Sequence, residues 1–130
     1  FGIDPKTIEK VQIAIRAHSY RGAKTNPAST PEAKIISDAD KLDVMGAIGI
    51  GRIFAFSGHF KRPLYDPAKK PDPRAYHQDG AKTAINAFYD KIFLLDKCLY
   101  TRQAKQIARQ RLAFTRQFVQ QFKDEWEGKK

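Results

Sequence analysis

Apolar positions recur at helical spacing along most of this chain, and no segment alternates in the manner of a β-strand. A first helix is predicted from Pro5 to about Ala17, with Asp4 as its N-cap. A second helix begins in the same way at Thr30-Pro31 and breaks or bends near Gly46. The apolar face of the first helix comprises Ile8, Val11, Ala14 and Ile15. The pattern predicts an all-α fold.

The second half of the chain contains a predicted loop followed by two predicted helices. Residues 58–80 include four prolines and a cluster of cations, which predict a basic, irregular loop. Such a loop is either a lid over a phosphate site or a mobile surface segment. Residues 81–99 and 101–127 then read as a long antiparallel helix pair, with Thr101 as the N-cap of the second member.

Length and charge limit the class of protein. The 130 residues support a single domain, 1–130, and no apolar run reaches the length of a membrane span. One cysteine, Cys98, excludes an internal disulfide and fits a reducing compartment, either the cytoplasm or an organelle matrix. The net charge of +10 predicts attraction to polyanions such as RNA, anionic membrane surfaces or phosphorylated substrates.

The last predicted helix carries a narrow row of cations beside a wide apolar face. This row is either a solvated face or a track for a phosphate backbone. Its members, the candidate polyanion-binding residues, are Arg102, Lys105, Arg109, Arg116 and Lys123.

Three carboxylates fall within six residues of the second helix, at Asp38, Asp40 and Asp43. At about 100° per residue, Asp38 points roughly 200° away from Asp40, toward solvent or a neighbouring loop. Asp40 shares its face with apolar neighbours, so it is expected in a buried or cleft position, held by an ion pair or amide or bound to a metal. Those neighbours are Ile36, Val44, Ala47 and Ile48.

Three glycines, Gly46, Gly49 and Gly51, follow the carboxylates. Their order is not that of the dinucleotide-binding fingerprint, and no strand precedes them. Close packing of a helix against its neighbour explains them better than a phosphate-binding loop does.

These residues resemble a known motif. Asp38-Ala39-Asp40-Lys41-Leu42-Asp43 followed by Gly46-Ala47-Ile48-Gly49-Ile50-Gly51-Arg52 is similar to the last motif of the HD-domain phosphohydrolases, D-A-D-x-L-D-x-x-G-A-I-G-I-x-R. His18-Ser19-Tyr20-Arg21 resembles the His-Ser-aromatic step that precedes this motif in one branch of the family, and the tail resembles the terminal helix pair of the same branch. The resemblance implies a helical HD-like fold and metal-dependent hydrolysis of a nucleotide or related phosphate ester.

The resemblance also implies roles for individual residues. Asp40 would be the last ligand of a first divalent ion (Mn, Mg, Fe or Ni), and His18 would bind a second ion, with a helix C-cap as its alternative. The resemblance further implies two catalytic residues beside the ligands and two contacts to substrate phosphate. The catalytic pair is Asp43 and Lys41, and the phosphate contacts are Arg21 and Arg52; Lys41 is a further candidate for neutralising that phosphate.

The chain departs from the HD pattern in its histidines. HD phosphohydrolases also use an upstream His and a His-Asp doublet, whereas none of His18, His59 and His77 precedes an Asp. Together with a first residue, Phe1, that is not Met, this leads us to expect the C-terminal portion of an HD-like domain. The other half is then either lost or left out, or supplied by a second chain that completes the domain, or the chain is a degenerate relative. Two functions follow: a phosphohydrolase present as a fragment, or a non-catalytic basic module that binds RNA or docks in a larger assembly.

Overall fold

The computed structural model describes residues 2–18, 27–74 and 81–129, and over these ranges the chain is helical with no strand. This confirms the all-α prediction. In chain order the elements are α1 (Pro5–Ala17), α2 (Pro31–Leu42), α3 (Gly46–His59), α4 (Ala84–Asp90), a 3₁₀ helix (Ile92–Cys98) and α5 (Arg102–Trp126). None of the helices in these ranges is both long and apolar enough to cross a membrane.

Three of the four predicted helix starts are confirmed by their caps. Side-chain oxygens of Asp4, Thr30 and Thr101 accept hydrogen bonds of 2.9, 3.1 and 3.2 Å from backbone N–H groups in the first turns of α1, α2 and α5. Each cap satisfies a donor that has no partner within its helix. Local chemistry alone therefore fixes where these helices begin.

The predicted helix over 81–99 is interrupted, and its extent was wrong. Lys91 has φ −136° and ψ −59°, which ends α4 and starts the 3₁₀ helix. In a 3₁₀ helix, residues three apart share a face, so Ile92 and Leu95 both enter the core. The long last helix runs Arg102–Trp126, close to the predicted 101–127.

The main core lies between α3, α4, the 3₁₀ helix and α5. Phe54 of α3 is half-buried and packs against this core, with ring centroids 5.9 Å from Phe118 and 5.7 Å from Phe122 on α5. The largest apolar side chains that are fully buried in this core are Met45, Ile85, Phe88, Leu95 and Val119. This packing holds α3 rigidly against the C-terminal helices.

A smaller cluster of alanines joins α1 to α2. It contains Ala14 and Ala17 from α1 and Ala33 from α2. Because α1 packs through these small residues, the other three members of its predicted apolar face, Ile8, Val11 and Ile15, are exposed. The predicted face is therefore only partly correct.

Two polar contacts from α5 hold the turn between α2 and α3. Arg111 Nη1 donates to the Leu42 carbonyl at 2.7 Å, and the Gly46 N–H donates to Thr115 Oγ1 at 3.0 Å. Thr115 is buried and donates in turn to the Arg111 carbonyl at 2.8 Å. Both ends of the turn are thus anchored to one helix almost seventy residues further along the chain.

Two of the three glycines, Gly46 and Gly49, pack closely, whereas a Cβ at Gly51 would meet no atom within 4 Å, so the packing prediction is correct only in part. Gly46 has φ +73°, a conformation that favours glycine. A Cβ at Gly49 would lie 2.2 Å from the backbone carbonyl carbon of Val44, far inside contact distance. Any side chain at position 49 therefore forces the turn apart.

The described part of the basic loop is bonded to α4. The N–H groups of Ala84 and Ile85 donate to the carbonyls of Pro63 and Leu64, each at 3.0 Å. Asn86 Nδ2 also donates to the Lys69 carbonyl at 3.0 Å. The start of α4 is therefore paired with loop carbonyls, and the loop begins after His59 rather than at residue 58.

Candidate functional site

Asp38 is buried, with 3% of its surface exposed. Its Oδ1 accepts from the Tyr100 N–H at 2.9 Å, and its Oδ2 accepts from the Thr101 N–H at 2.8 Å. The expectation that it meets a neighbouring loop is confirmed, because these residues form the turn before α5. Asp38 therefore joins α2 to the start of the last helix.

Asp40 is exposed, which corrects the expectation that it lies buried in an apolar stripe. Ile36 and Ile48, predicted to flank it, are 47% and 75% exposed. The buried face of α2 is instead formed by the small and polar side chains of Ala33, Ser37, Asp38 and Lys41. Hydrophobicity alone pointed to the wrong face, because the side chains that pack here are short or hydrogen-bonded.

Lys41 points into the interior, with 2% of its surface exposed. Its Nζ donates to the Ser37 carbonyl at 3.1 Å and to the Ser37 hydroxyl, and it lies 5.8 Å from the centroid of the Tyr100 ring. Burial lowers the pKa of Lys41, and the nearby Asp38 carboxylate partly opposes this. The expectation that Lys41 contacts a substrate phosphate is therefore wrong: its charge is used within the fold.

Asp43 and Arg52 meet at the turn between α2 and α3. Arg52 Nη1 lies 3.9 Å from Asp43 Oδ2 and 3.4 Å from the Asp43 carbonyl oxygen. Both side chains are well exposed, so this ion pair contributes little to stability. It does hold the guanidinium of Arg52, predicted to contact phosphate, at the edge of a cavity.

That cavity, of about 200 Å³, lies between α3, the start of the basic loop and the junction of α4 with the 3₁₀ helix. Its charged lining consists of three cations, Arg52, Arg62 and Lys91, and no carboxylate occurs among the described residues that line it. The remaining lining residues are Val44, Ile53, Phe56, Ser57, Ala87 and Ile92. A concave site with three cations and an apolar wall suits an anionic ligand.

Lys91 connects this cavity to the acidic motif. Burial lowers the pKa of Lys91, while the Asp40 carboxylate raises it and the Arg52 guanidinium lowers it. Asp40, Arg52 and Lys91 therefore share one electrostatic environment, although they come from α2, α3 and the break after α4. Lys91 was not identified from the sequence, because neither helical periodicity nor a motif marks it. Arg62 was identified only as one of the cations of the basic loop.

The described residues do not form a metal site by themselves. Within 2–18, 27–74 and 81–129, no group of three His, Cys, Asp or Glu side chains is placed to hold an ion. His18 is the C-cap of α1, and its Nδ1 lies 2.5 Å from the Ile15 carbonyl oxygen, which fits the alternative interpretation. Arg21 and His77 lie outside the described residues.

The predicted cation row lies on the outer side of α5. Lys105, Arg109 and Arg116 line an open groove of about 440 Å³, and the Arg116 guanidinium lies 4.3 Å from the Phe93 ring centroid. Arg102 is also exposed, and Lys123 Nζ is 5.9 Å from the Tyr89 ring centroid. The row is thus accessible, as expected of either a solvated face or a polyanion track.

Comparison with known proteins gives relatives of the same fold. No protein-family model matches the chain. A Bacillus subtilis protein, the uncharacterized YpgQ, is 29% identical over 130 residues, which cover 98% of this chain and 57% of YpgQ. A crystal structure from Lactobacillus plantarum superposes with a TM-score of 0.84 at 35% identity, covering 97% of this chain and 61% of that one.

A third relative, from Bacillus thuringiensis, is named an HD-superfamily hydrolase. It superposes with a TM-score of 0.63 at 41% identity and covers 74% of this chain and 46% of its own. YpgQ has also been crystallised in complex with ADP, and that structure superposes with a TM-score of 0.73 at 27% identity, covering 95% of this chain and 55% of that one. The chain thus spans about half to three fifths of these relatives, and the helical, HD-like fold is confirmed.

Proposed function

We propose that this chain is the phosphate-binding part of an HD-type hydrolase that acts on a nucleotide or a related phosphate ester. The observation that carries the proposal is the cavity lined by Arg52, Arg62 and Lys91, which lies in the electrostatic environment of Asp40. The fold shared with a named HD-superfamily hydrolase supports the reaction class, and the ADP complex of YpgQ supports a nucleotide.

The chemistry of the three cations suits phosphate. Arginine presents a planar set of donors that matches the oxygens of a phosphate group, and lysine adds a point charge. Lys91 is partly withdrawn from water, so its interaction with an anion is less screened than that of a surface lysine.

The described residues do not supply a complete set of ligands for a catalytic divalent metal. Asp40 is one carboxylate, and a catalytic ion needs about three protein ligands. Because the described residues do not supply that set, we assign them the binding and orientation of the phosphate. Asp43 contributes by holding the Arg52 guanidinium beside the cavity.

The test is calorimetric titration of the 130-residue chain with ADP and with inorganic pyrophosphate. We expect both to bind, and binding to weaken as salt concentration rises. Arg52→Ala and Lys91→Met should each weaken both ligands roughly tenfold, the effect of losing a charged hydrogen bond. Lys97→Met, which removes an exposed lysine outside the cavity, is the matched control and should leave both affinities unchanged.

The proposal fails if neither ligand binds, or if Lys91→Met and Lys97→Met have equal effects. In that case the groove on α5 favours the second candidate, a basic module that binds RNA. Charge reversal at Lys105 and Arg109 would then abolish RNA binding. Under the phosphate-site proposal, the same reversal leaves pyrophosphate binding almost unchanged.

A further inference from the structure

Two phenylalanines, Phe56 and Phe60, form an exposed aromatic surface at the C-terminal end of α3. They are one helical turn apart, their ring centroids are separated by 4.6 Å, and the rings are inclined at 51°. They are 55% and 53% exposed, although the fold buries other aromatic side chains such as Phe88 completely. Exposed aromatic pairs of this kind commonly mark a binding surface.

The chain reversal after α3 places a cation over both rings. The Lys61 N–H donates to the Gly58 carbonyl at 3.0 Å, and the Arg62 N–H donates to the Ser57 carbonyl at 2.8 Å, the paired bonds of a Schellman motif. Lys61 takes the left-handed conformation this motif requires, with φ +54°. The turn brings the Arg62 guanidinium carbon to 5.5 Å from the Phe56 centroid and 5.4 Å from the Phe60 centroid.

This aromatic surface is continuous with the cation-lined cavity. Phe56 and Arg62 belong to both, since each also lines the cavity that contains Arg52 and Lys91. Arg52 and Phe56 are four residues apart on α3, so their Cα atoms differ by about 6 Å along the helix axis. A ligand whose phosphate contacts Arg52 can therefore reach the phenylalanines with its other end only if a spacer about as long as one sugar separates the two ends.

We propose that Phe56 and Phe60 form a stacking platform for the base of a nucleotide whose phosphates lie against Arg52 and Lys91. The inference rests on the proposed function of the cavity and names its substrate class as nucleotides rather than simple phosphate esters. The base stacks on one ring and contacts the edge of the other, because the rings are inclined. Stacking on phenylalanine and arginine tolerates any base, so the platform selects for the presence of a base rather than its identity.

The experiment compares ADP with inorganic pyrophosphate on the intact chain, by calorimetry, for Phe56→Ala and Phe60→Ala. Loss of one stacking partner should weaken ADP binding roughly tenfold. Pyrophosphate has no base, so its affinity should stay within twofold of the parent value. Phe114→Ala is the matched control, because Phe114 is 49% exposed on α5 and lies outside the cavity.

The outcomes separate the two proposals. If the parent chain binds neither ligand, the phosphate site itself is wrong. If both ligands bind and Arg52→Ala weakens both, but the phenylalanine variants bind ADP as the parent does, the cavity proposal stands and the platform is wrong. Equal weakening of ADP and pyrophosphate by Phe56→Ala also overturns the platform. Thermal melting of each variant verifies the fold, and Phe56→Leu serves if the alanine variant is unstable.

Discussion

The carboxylate of Asp38 on α2 accepts a 2.8 Å hydrogen bond from the backbone N–H of Thr101, the residue that caps α5. The same carboxylate accepts a second bond from the Tyr100 N–H. These bonds connect two helices that are more than sixty residues apart in sequence. They also divide the acidic motif into a structural residue, Asp38, and an exposed one, Asp40.

The two carboxylates Asp38 and Asp40 should differ in their contribution to stability. Asp38→Ala should lower the free energy of unfolding by about 2–4 kcal/mol, because two partly buried N–H groups lose a charged acceptor. Asp40→Ala, the matched control two residues away, should change it by less than about 0.5 kcal/mol, as is typical of exposed positions. Urea denaturation monitored by circular dichroism measures both. Similar losses in the two variants would contradict the assignment.

The charge of Lys91 should lower the stability of the folded chain and at the same time strengthen the binding of phosphate. Its pKa is lowered mainly by burial, so the folded chain holds its proton less tightly than the unfolded chain does. Stability contributed by this group therefore rises as pH increases from the lowered pKa toward 10.5, its ordinary value. Lys91→Met should raise the melting temperature at pH 7 while weakening pyrophosphate binding.

The pH dependence checks the cause of that effect. The difference in melting temperature between Lys91→Met and the parent should shrink as pH rises toward 10.5. A difference that is constant with pH would indicate improved packing instead. Lys97→Met, in an exposed position, should show neither effect.

Asp90 is a buried carboxylate that the proposed function does not use. Its Oδ1 is buried and receives no hydrogen bond from the described residues, and burial raises its pKa. A raised pKa means that the folded chain binds the proton more tightly, so stability falls as pH rises from about 3.8 through the raised value. Asp90→Asn should therefore be more stable than the parent at pH 7, and the difference should vanish at pH 3. If Asp90→Asn and the parent chain were equally stable at pH 7 as well as at pH 3, ionisation of Asp90 would not destabilise the fold.

The left-handed residue after α3 offers a test of backbone strain. Lys61→Gly should raise the free energy of unfolding by up to about 1 kcal/mol, since a residue with a Cβ is disfavoured at φ +54°. Gln110→Gly, at an exposed position in the interior of α5, should lower it by about 1 kcal/mol because glycine weakens a helix. If both glycine variants changed the free energy of unfolding in the same direction, the left-handed conformation of Lys61 would be contradicted.

Catalysis should be weak in this chain alone. With Mn²⁺ or Mg²⁺ and a panel of nucleoside di- and triphosphates, we expect phosphate release near the uncatalysed background, because the described residues assemble no set of three ligands. The measurement is phosphate or pyrophosphate release over several hours. Robust metal-dependent hydrolysis that Asp40→Ala abolishes would overturn this expectation.

Interactions between residues that are close in sequence determine much of the fold. The helix caps at Asp4, Thr30 and Thr101 depend on neighbouring residues, and both these caps and the break near Gly46 were predicted from the sequence. The buried face of α2 was not, because Lys41 enters the interior only where Ser37 and Tyr100 receive its ammonium group. That arrangement depends on a segment sixty residues away, which periodicity cannot report.

The candidate site shows the same limit. Arg52 was identified because it belongs to a motif, whereas Lys91 and Arg62 reach the cavity through a helix break and a left-handed turn. Both features are set by tertiary packing: Ile92 and Leu95 must enter the core, and Arg62 must return over Phe56 and Phe60. A cavity assembled by such contacts has no continuous signature in the sequence.

The contact between position 49 and the Val44 backbone has a genetic consequence. Every missense change of a glycine codon adds a Cβ, and the carbonyl group beside Gly49 cannot move away as a flexible side chain would. In a saturation library selected for soluble protein, codon 49 should therefore retain only synonymous variants. Gly51, which has no atom within 4 Å of a Cβ, should accept alanine in the same library. Intolerance at codon 49 would report backbone geometry, and a reader of the library should not take it as a mark of catalysis.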